Sequence, residues 1–100
     1  MTREDFSREL IEQFKKNGIE AEDITADAYS VKAGKKEFFI SLYKISVTIT
    51  VYWNVKPYDS VRLMSMDIFY DDISQMFVDG NRLFIMSMGK SCSVFRMEKD

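Results

Sequence analysis

The hydrophobic positions of this chain follow two rhythms. Over residues 3–17 they recur at helical spacing: Phe6, Leu10 and Phe14 are four apart, and Ile11 widens the stripe. Residues three and four apart share one face of a helix, so this stretch predicts an amphipathic helix over residues 3–17. Its ends carry matching signals. Thr2 with Asp5 resembles a capping box with a shortened second member. Glu4 and Asp5 lie at the positive end of the helix dipole, and Lys15 and Lys16 at its negative end. Asn17-Gly18 is a stop, because glycine takes the left-handed conformation that closes a helix, and Ile19 can pack back on the last turn.

After the helix the period falls to two. Ile45, Val47, Ile49, Val51 and Trp53 share one parity, and Ser46, Thr48, Thr50, Tyr52 and Asn54 the other. Strand side chains alternate between faces, so residues 45–55 predict a long strand with an apolar face and a hydroxyl-rich face. Nearly every residue in it is β-branched or aromatic, types that suit a pleated, half-buried surface. Further strands are predicted at about 28–32, 37–43, 61–70, 73–78, 82–88 and 92–97. In 37–43, Phe38, Ile40 and Leu42 oppose Phe39, Ser41 and Tyr43. Lys44 leaves only a tight turn or a bulge before the central strand. Pro57 ends that strand, since proline cannot donate to a ladder, and Tyr58-Asp59-Ser60 completes the turn. Both parities of 61–70 are apolar, which predicts burial on both sides. Asp71-Asp72 breaks the pattern, and Asp79-Gly80-Asn81 is the strongest hairpin signal in the chain. Residues 20–27 form an acidic connection with no periodicity.

The expected fold is α+β: an N-terminal amphipathic helix packed on an antiparallel β-sheet meander of five to seven strands, in one domain over residues 1–100. Short connections make consecutive strands neighbours, and the helix stripe needs a sheet face to bury against. The run Met66-Asp-Ile-Phe-Tyr-Asp-Asp-Ile-Ser-Gln-Met-Phe-Val-Asp-Gly-Asn-Arg-Leu-Phe-Ile-Met-Ser-Met-Gly-Lys resembles the middle strands of pleckstrin-homology-like domains, where a strand ends in an acidic bend plus Ile and two strands follow. The resemblance covers about a third of the chain. It implies a binding domain of that type, although the family's closing C-terminal helix has no counterpart here.

Composition adds exclusions. An apolar fraction of 46% is that of a globular chain, not a disordered one. No apolar run approaches the roughly 20 residues a membrane span needs. The charged start, Met-Thr-Arg-Glu-Asp, lacks the apolar centre of a signal peptide. Cys92 is the single cysteine, so no intrachain disulfide forms. Together these features point to the cytoplasm. There is no histidine, which removes the commonest general base and metal ligand. Cys92, between Ser91 and Ser93, has only Lys90 and Arg96 nearby in sequence, and reads as a buried or inert thiol. Asp67, Asp71, Asp72 and Asp79 lack the fixed spacing of an oxygen-ligand loop, and Asp71-Asp72 reads as turn chemistry. The strand methionines read first as core filling, with a sheet too apolar for one helix, and hence a homodimer, as the other reading. No enzyme, cofactor or metal site is expected.

Charge distribution carries the functional expectation. Residues 1–30 are net −4, residues 31–62 net +4 and residues 63–100 net −2. The basic centre holds Lys32, Lys35, Lys36, Lys44, Lys56 and Arg62 among Tyr43, Tyr52 and Tyr58. The candidate partner-binding residues are therefore Lys35, Lys36, Lys44, Tyr52, Lys56, Tyr58 and Arg62. Three readings are open: a solvated face that blunts edge pairing, a surface steered to an acidic protein, or a face that tracks phosphates and stacks bases. Net acidity weighs against nucleic acid. The expected function is a small non-enzymatic protein-interaction module. It would be an inhibitor or adaptor for a larger protein or nucleoprotein, of the kind found among accessory proteins of phages and mobile elements, including inhibitors of bacterial defence systems. A nucleic-acid-binding module is the alternative.

Overall fold

The computed structural model describes residues 1–25, 27–56, 59–89 and 91–98. Helix α1 (Arg3–Lys16) starts where the capping signal stands: the Thr2 hydroxyl accepts the Asp5 N–H at 3.1 Å. It stops in a paired C-terminal turn. Gly18 N–H donates to the Lys15 carbonyl at 3.2 Å and Ile19 N–H to the Phe14 carbonyl at 2.9 Å. That turn needs a left-handed residue, and Gly18 supplies φ of 70°.

Among the described residues eight strands follow: β1 (Glu22–Thr25), β2 (Ala28–Ala33), β3 (Lys36–Leu42), β4 (Ser46–Lys56), β5 (Asp59–Phe69), β6 (Ile73–Asp79), β7 (Arg82–Ser87) and β8 (Cys92–Arg96). They form two antiparallel sheets, β1-β2-β3-β4-β5 and β6-β7-β8, each in chain order. A 3-10 turn at Tyr70–Asp72 separates the sheets. The α+β expectation and the helix on a sheet hold. Two sheets replace the single meander, and β1 lies in the stretch read as a plain acidic connection.

The alternating pattern sets which face is buried. Val31, Phe38, Ile40, Leu42, Val47, Ile49, Val51 and Ile68 turn inward from the first sheet. Ile73, Met76, Val78, Leu83, Ile85 and Phe95 turn inward from the second. Phe6, Leu10 and Phe14 of α1 complete one continuous core. The helix lies along β6, from Phe6, whose ring is 6.0 Å from that of Tyr70, to Asn17, whose side chain bonds the Val78 carbonyl and the Gly80 N–H. Arg3 pairs with Asp27, tying the helix start to the β1–β2 connection.

Three readings of the sequence need correction. Ile45 belongs to the tight β3–β4 turn and is exposed, so the apolar face of β4 begins at Val47. β5 is not buried on both sides: Val61, Leu63 and Phe69 are 53%, 54% and 52% exposed. Its mixed parity comes from a bulge. Val51 pairs with Met64 and Tyr52 with Arg62, so Leu63 is the extra residue. Past the bulge the inward series continues as Met64, Met66 and Ile68 on even numbers, after Val61 on an odd one. The methionines also divide. Met76 and Met97 fill the core, while Met64, Met86 and Met88 are exposed.

The run resembling pleckstrin-homology-like domains folds as the end of β5, the acidic 3-10 turn, and the β6–β7 hairpin. That hairpin closes on Gly80 with φ of 61°. The proposed end of the central strand at Pro57 and the turn residue Tyr58 lie outside the described residues, as do Lys90, Lys99 and Asp100.

Candidate functional site

The first sheet leaves one face open. Its side chains fall in cross-strand rows set by the pairing register. One row runs Lys32, Glu37, Tyr52, Arg62 from β2 to β5. The next runs Ser30, Phe39, Thr50, Ser65, and the third Ala28, Ser41, Thr48, Asp67. Small hydroxyl residues occupy the middle of the face, so the larger Phe39 and Tyr52 stand above it. Their rings meet edge to face with centroids 5.4 Å apart.

Polar groups on this face are bonded to one another. Thr48 donates to Asp67, and the Thr50 and Ser65 hydroxyls are 3.2 Å apart. Ser30, only 2% exposed, donates its hydroxyl to Glu37 Oε2 at 2.6 Å, and the Asn54 amide donates to Glu37 Oε1 at 3.3 Å. The Glu37 carboxylate is thus held from both oxygens. It borders a shallow groove of about 520 Å³ lined by Phe39, Ser41, Tyr43, Thr50, Tyr52, Asn54 and Ser60.

The expected basic residues are brought together only in part. Lys35 is exposed in the β2–β3 turn, where its carbonyl accepts the Asn54 N–H at 2.8 Å. Lys36 follows it but shares the inward parity, opposite Trp53. Tyr52 and Arg62 are direct partners on the open face. Lys56 is exposed at the far end of the β4–β5 hairpin, opposite Asp59. Lys44 sits in the β3–β4 turn, at the other end of β3, roughly 20 Å away at the rise of a strand. Tyr58 lies outside the described residues. Glu22, Glu37 and Asp67 share the open face with Lys32 and Arg62. Apart from Lys44, the described bases are gathered at one end of the sheet, but they are interleaved with acids and divided between its faces.

A second feature was not visible in the sequence. β5 is the terminal strand of its sheet, paired on one side by β4. Its outer part carries the exposed Val61, Leu63 and Met64, and Val55 on β4 is exposed beside them. A groove of about 420 Å³ runs along Met66–Phe69 toward Ser87 at the end of β7, Gly89 and Ser91 of the β7–β8 turn, and Ser93 of β8, whose hydroxyl is 3.4 Å from the Met66 sulfur. Only the register reveals this edge, because the residue pattern of 61–70 is that of a buried strand.

Cys92 is exposed, which corrects the buried half of its reading as a buried or inert thiol. Among the described residues no three His, Cys, Asp or Glu side chains gather closely enough to hold a metal ion, and no helix is long and apolar enough to cross a membrane. Compared with known proteins, the chain matches no family model, no curated protein and no solved structure.

Proposed function

We propose that this chain is a non-enzymatic protein-interaction module, an inhibitor or adaptor, that receives an extended segment of its partner along the outer part of the β5 edge, before Met66. The observation that carries this reading is the exposure of Val61, Leu63 and Met64 on an eleven-residue terminal strand. A strand edge offers unpaired N–H and C=O groups to any extended chain. Natural proteins usually blunt such an edge with charge, proline or a cover. Within Val61–Met66 of β5 only Arg62 is charged. Strand addition uses main-chain hydrogen bonds for affinity and alternate side chains for specificity, and the exposed aliphatic side chains beside the edge supply the apolar contacts.

The test is affinity capture from source-cell lysate, with and without nuclease, using the wild type and a Leu63→Lys/Met64→Lys variant. A stoichiometric protein that survives nuclease and is lost with the variant supports the reading. Losing a central apolar anchor costs about 2 kcal/mol, or roughly 30-fold in affinity. Both side chains are partly or largely exposed, so the variant should keep its thermal midpoint. A partner retained by the variant would place binding elsewhere. Partners that vanish with nuclease would favour the nucleic-acid reading, for which Arg62 beside Tyr52, with Lys35 and Lys56 at the same end of the sheet, is the supporting observation.

A further inference from the structure

We propose that the groove on the open face of β3 and β4 binds the cationic head of a lysine or arginine side chain presented by a basic peptide. Glu37 is its counter-ion, and the Phe39 and Tyr52 rings form its wall. This site lies on the face of the sheet rather than its edge, and stands whether or not β5 receives a strand.

Among the described residues the lining contains one charged group, Glu37, three aromatic rings, and otherwise hydroxyls and an amide, with no lysine, arginine or aliphatic side chain. A carboxylate beside aromatic faces suits a cation: the ring quadrupole attracts positive charge, and a charged donor makes the stronger class of hydrogen bond with a carboxylate. Glu37 is already oriented. The buried Ser30 hydroxyl and the Asn54 amide each take one of its oxygens, at 2.6 and 3.3 Å. A carboxylate has about four acceptor positions, so roughly two stay available to a ligand. Because both orienting donors are neutral, they fix the carboxylate without cancelling its charge.

Lys32 and Arg62 stand in the same cross-strand row, on β2 and β5. Both are exposed and neither borders the groove. As cross-strand neighbours of Glu37 and Tyr52 they stand roughly 5 Å away at Cβ. That is inside the Debye length of about 8 Å at physiological ionic strength, so salt weakens their repulsion of an incoming cation only in part, and the Glu37 carboxylate and the rings must outweigh it. A single cationic side chain would enter the groove alongside the Phe39 and Tyr52 rings, whose edge-to-face contact leaves no gap between them. An anionic ligand would meet Glu37 at the groove and is disfavoured by the same geometry.

The experiment is a titration of the isotope-labelled chain with an octalysine peptide, followed by amide NMR shifts, with octaglutamate as the control. Saturable shifts at Glu37, Phe39, Thr50, Tyr52 and Asn54 are expected. Glu37→Gln should weaken binding about tenfold, the worth of one charge-assisted contact. Glu22→Gln, on the same face but outside the groove, should change it by less than about twofold, as a screened surface charge. Tyr52→Leu removes one of the two rings of the wall and leaves the carboxylate, so it should weaken binding about threefold. Dispersed spectra of the variants establish that each remains folded. The proposal is overturned by absence of shifts, by shifts spread equally over the acidic residues of α1, by equal effects of Glu22→Gln and Glu37→Gln, or by comparable binding of octaglutamate.

Discussion

Tyr70 shows how much one side chain can fasten. Its ring packs on Phe6, its hydroxyl donates to the Tyr43 carbonyl at 2.9 Å, and its N–H donates to the Ile45 carbonyl at 3.1 Å. It joins the helix, the β3–β4 turn and the start of the second sheet. Burial raises the pKa of its hydroxyl above the ordinary tyrosine value near 10, because the phenolate would lose its hydration. A raised pKa means the folded state holds the proton more tightly. That stabilisation is complete below pH 10 and is lost as pH rises through the raised value. Tyr70→Phe should therefore cost about 1 kcal/mol at pH 7, the net worth of a hydrogen bond. The gap between wild type and variant, read from guanidinium midpoints, should narrow above about pH 10; a constant gap would contradict the linkage. None of this was legible in the sequence, where Tyr70 ended a strand. Phe6, Leu10 and Phe14 were legible, because helical spacing needs no knowledge of a partner. Burial of Cys92 was not legible because its exposure depends on which face of β8 is covered.

The joining of α1 to β6 belongs to the scale of elements. β6 is a terminal strand, and the helix covers its edge with side-chain amides. Gln13 accepts the Val78 N–H and donates to the Met76 carbonyl, and Asn17 donates to the Val78 carbonyl at 3.1 Å and accepts the Gly80 N–H at 2.9 Å. These bonds stand in for a neighbouring strand, which explains how a helix can close a sheet edge without leaving the backbone unpaired. Gln13→Ala should cost about 1–3 kcal/mol, the penalty for a part-buried N–H left without a partner. Hydrogen exchange at Val78 should accelerate while the β3 and β4 amides keep their protection. Equal acceleration throughout would mean that the residue acts on global stability alone. The sequence signalled the helix and hairpin turns through Thr2, Gly18 and Gly80, whose roles are local. It concealed β1, because Glu22-Asp-Ile-Thr is polar and exposed throughout and has no buried face to impose alternation. It concealed the bulge at Leu63 because a single extra residue looks the same as an apolar residue on the second face.

At the scale of the whole molecule, alternation says that each strand has a buried face but not which sheet that face turns toward. The division into two sheets was therefore not legible, nor was the consequence that β5 ends one of them. The polar side of β4 was legible as a hydroxyl-rich face, but the joining of Glu37 to Ser30 and Asn54 required the register of three strands. What unites the sheets is the shared core, and this has a measurable consequence. Leu83 is fully buried on β7, whereas Trp53, the only tryptophan, lies on β4 in the other sheet. Leu83→Ala removes buried methyl groups and leaves a cavity, at a cost of about 2–5 kcal/mol. If the two sheets and α1 share one cooperative core, the loss must reach Trp53. Its fluorescence should report the same lowered denaturant midpoint as the far-ultraviolet circular dichroism, in one coincident transition. Two sheets stable on their own would behave differently. The circular dichroism would show an early partial step from the three-stranded sheet, and the Trp53 transition would remain at its wild-type midpoint. Coincidence would also mean that a ligand held by the β3–β4 face stabilises the three-stranded sheet by the same mass action, because only the fully folded chain presents Glu37, Phe39 and Tyr52 together.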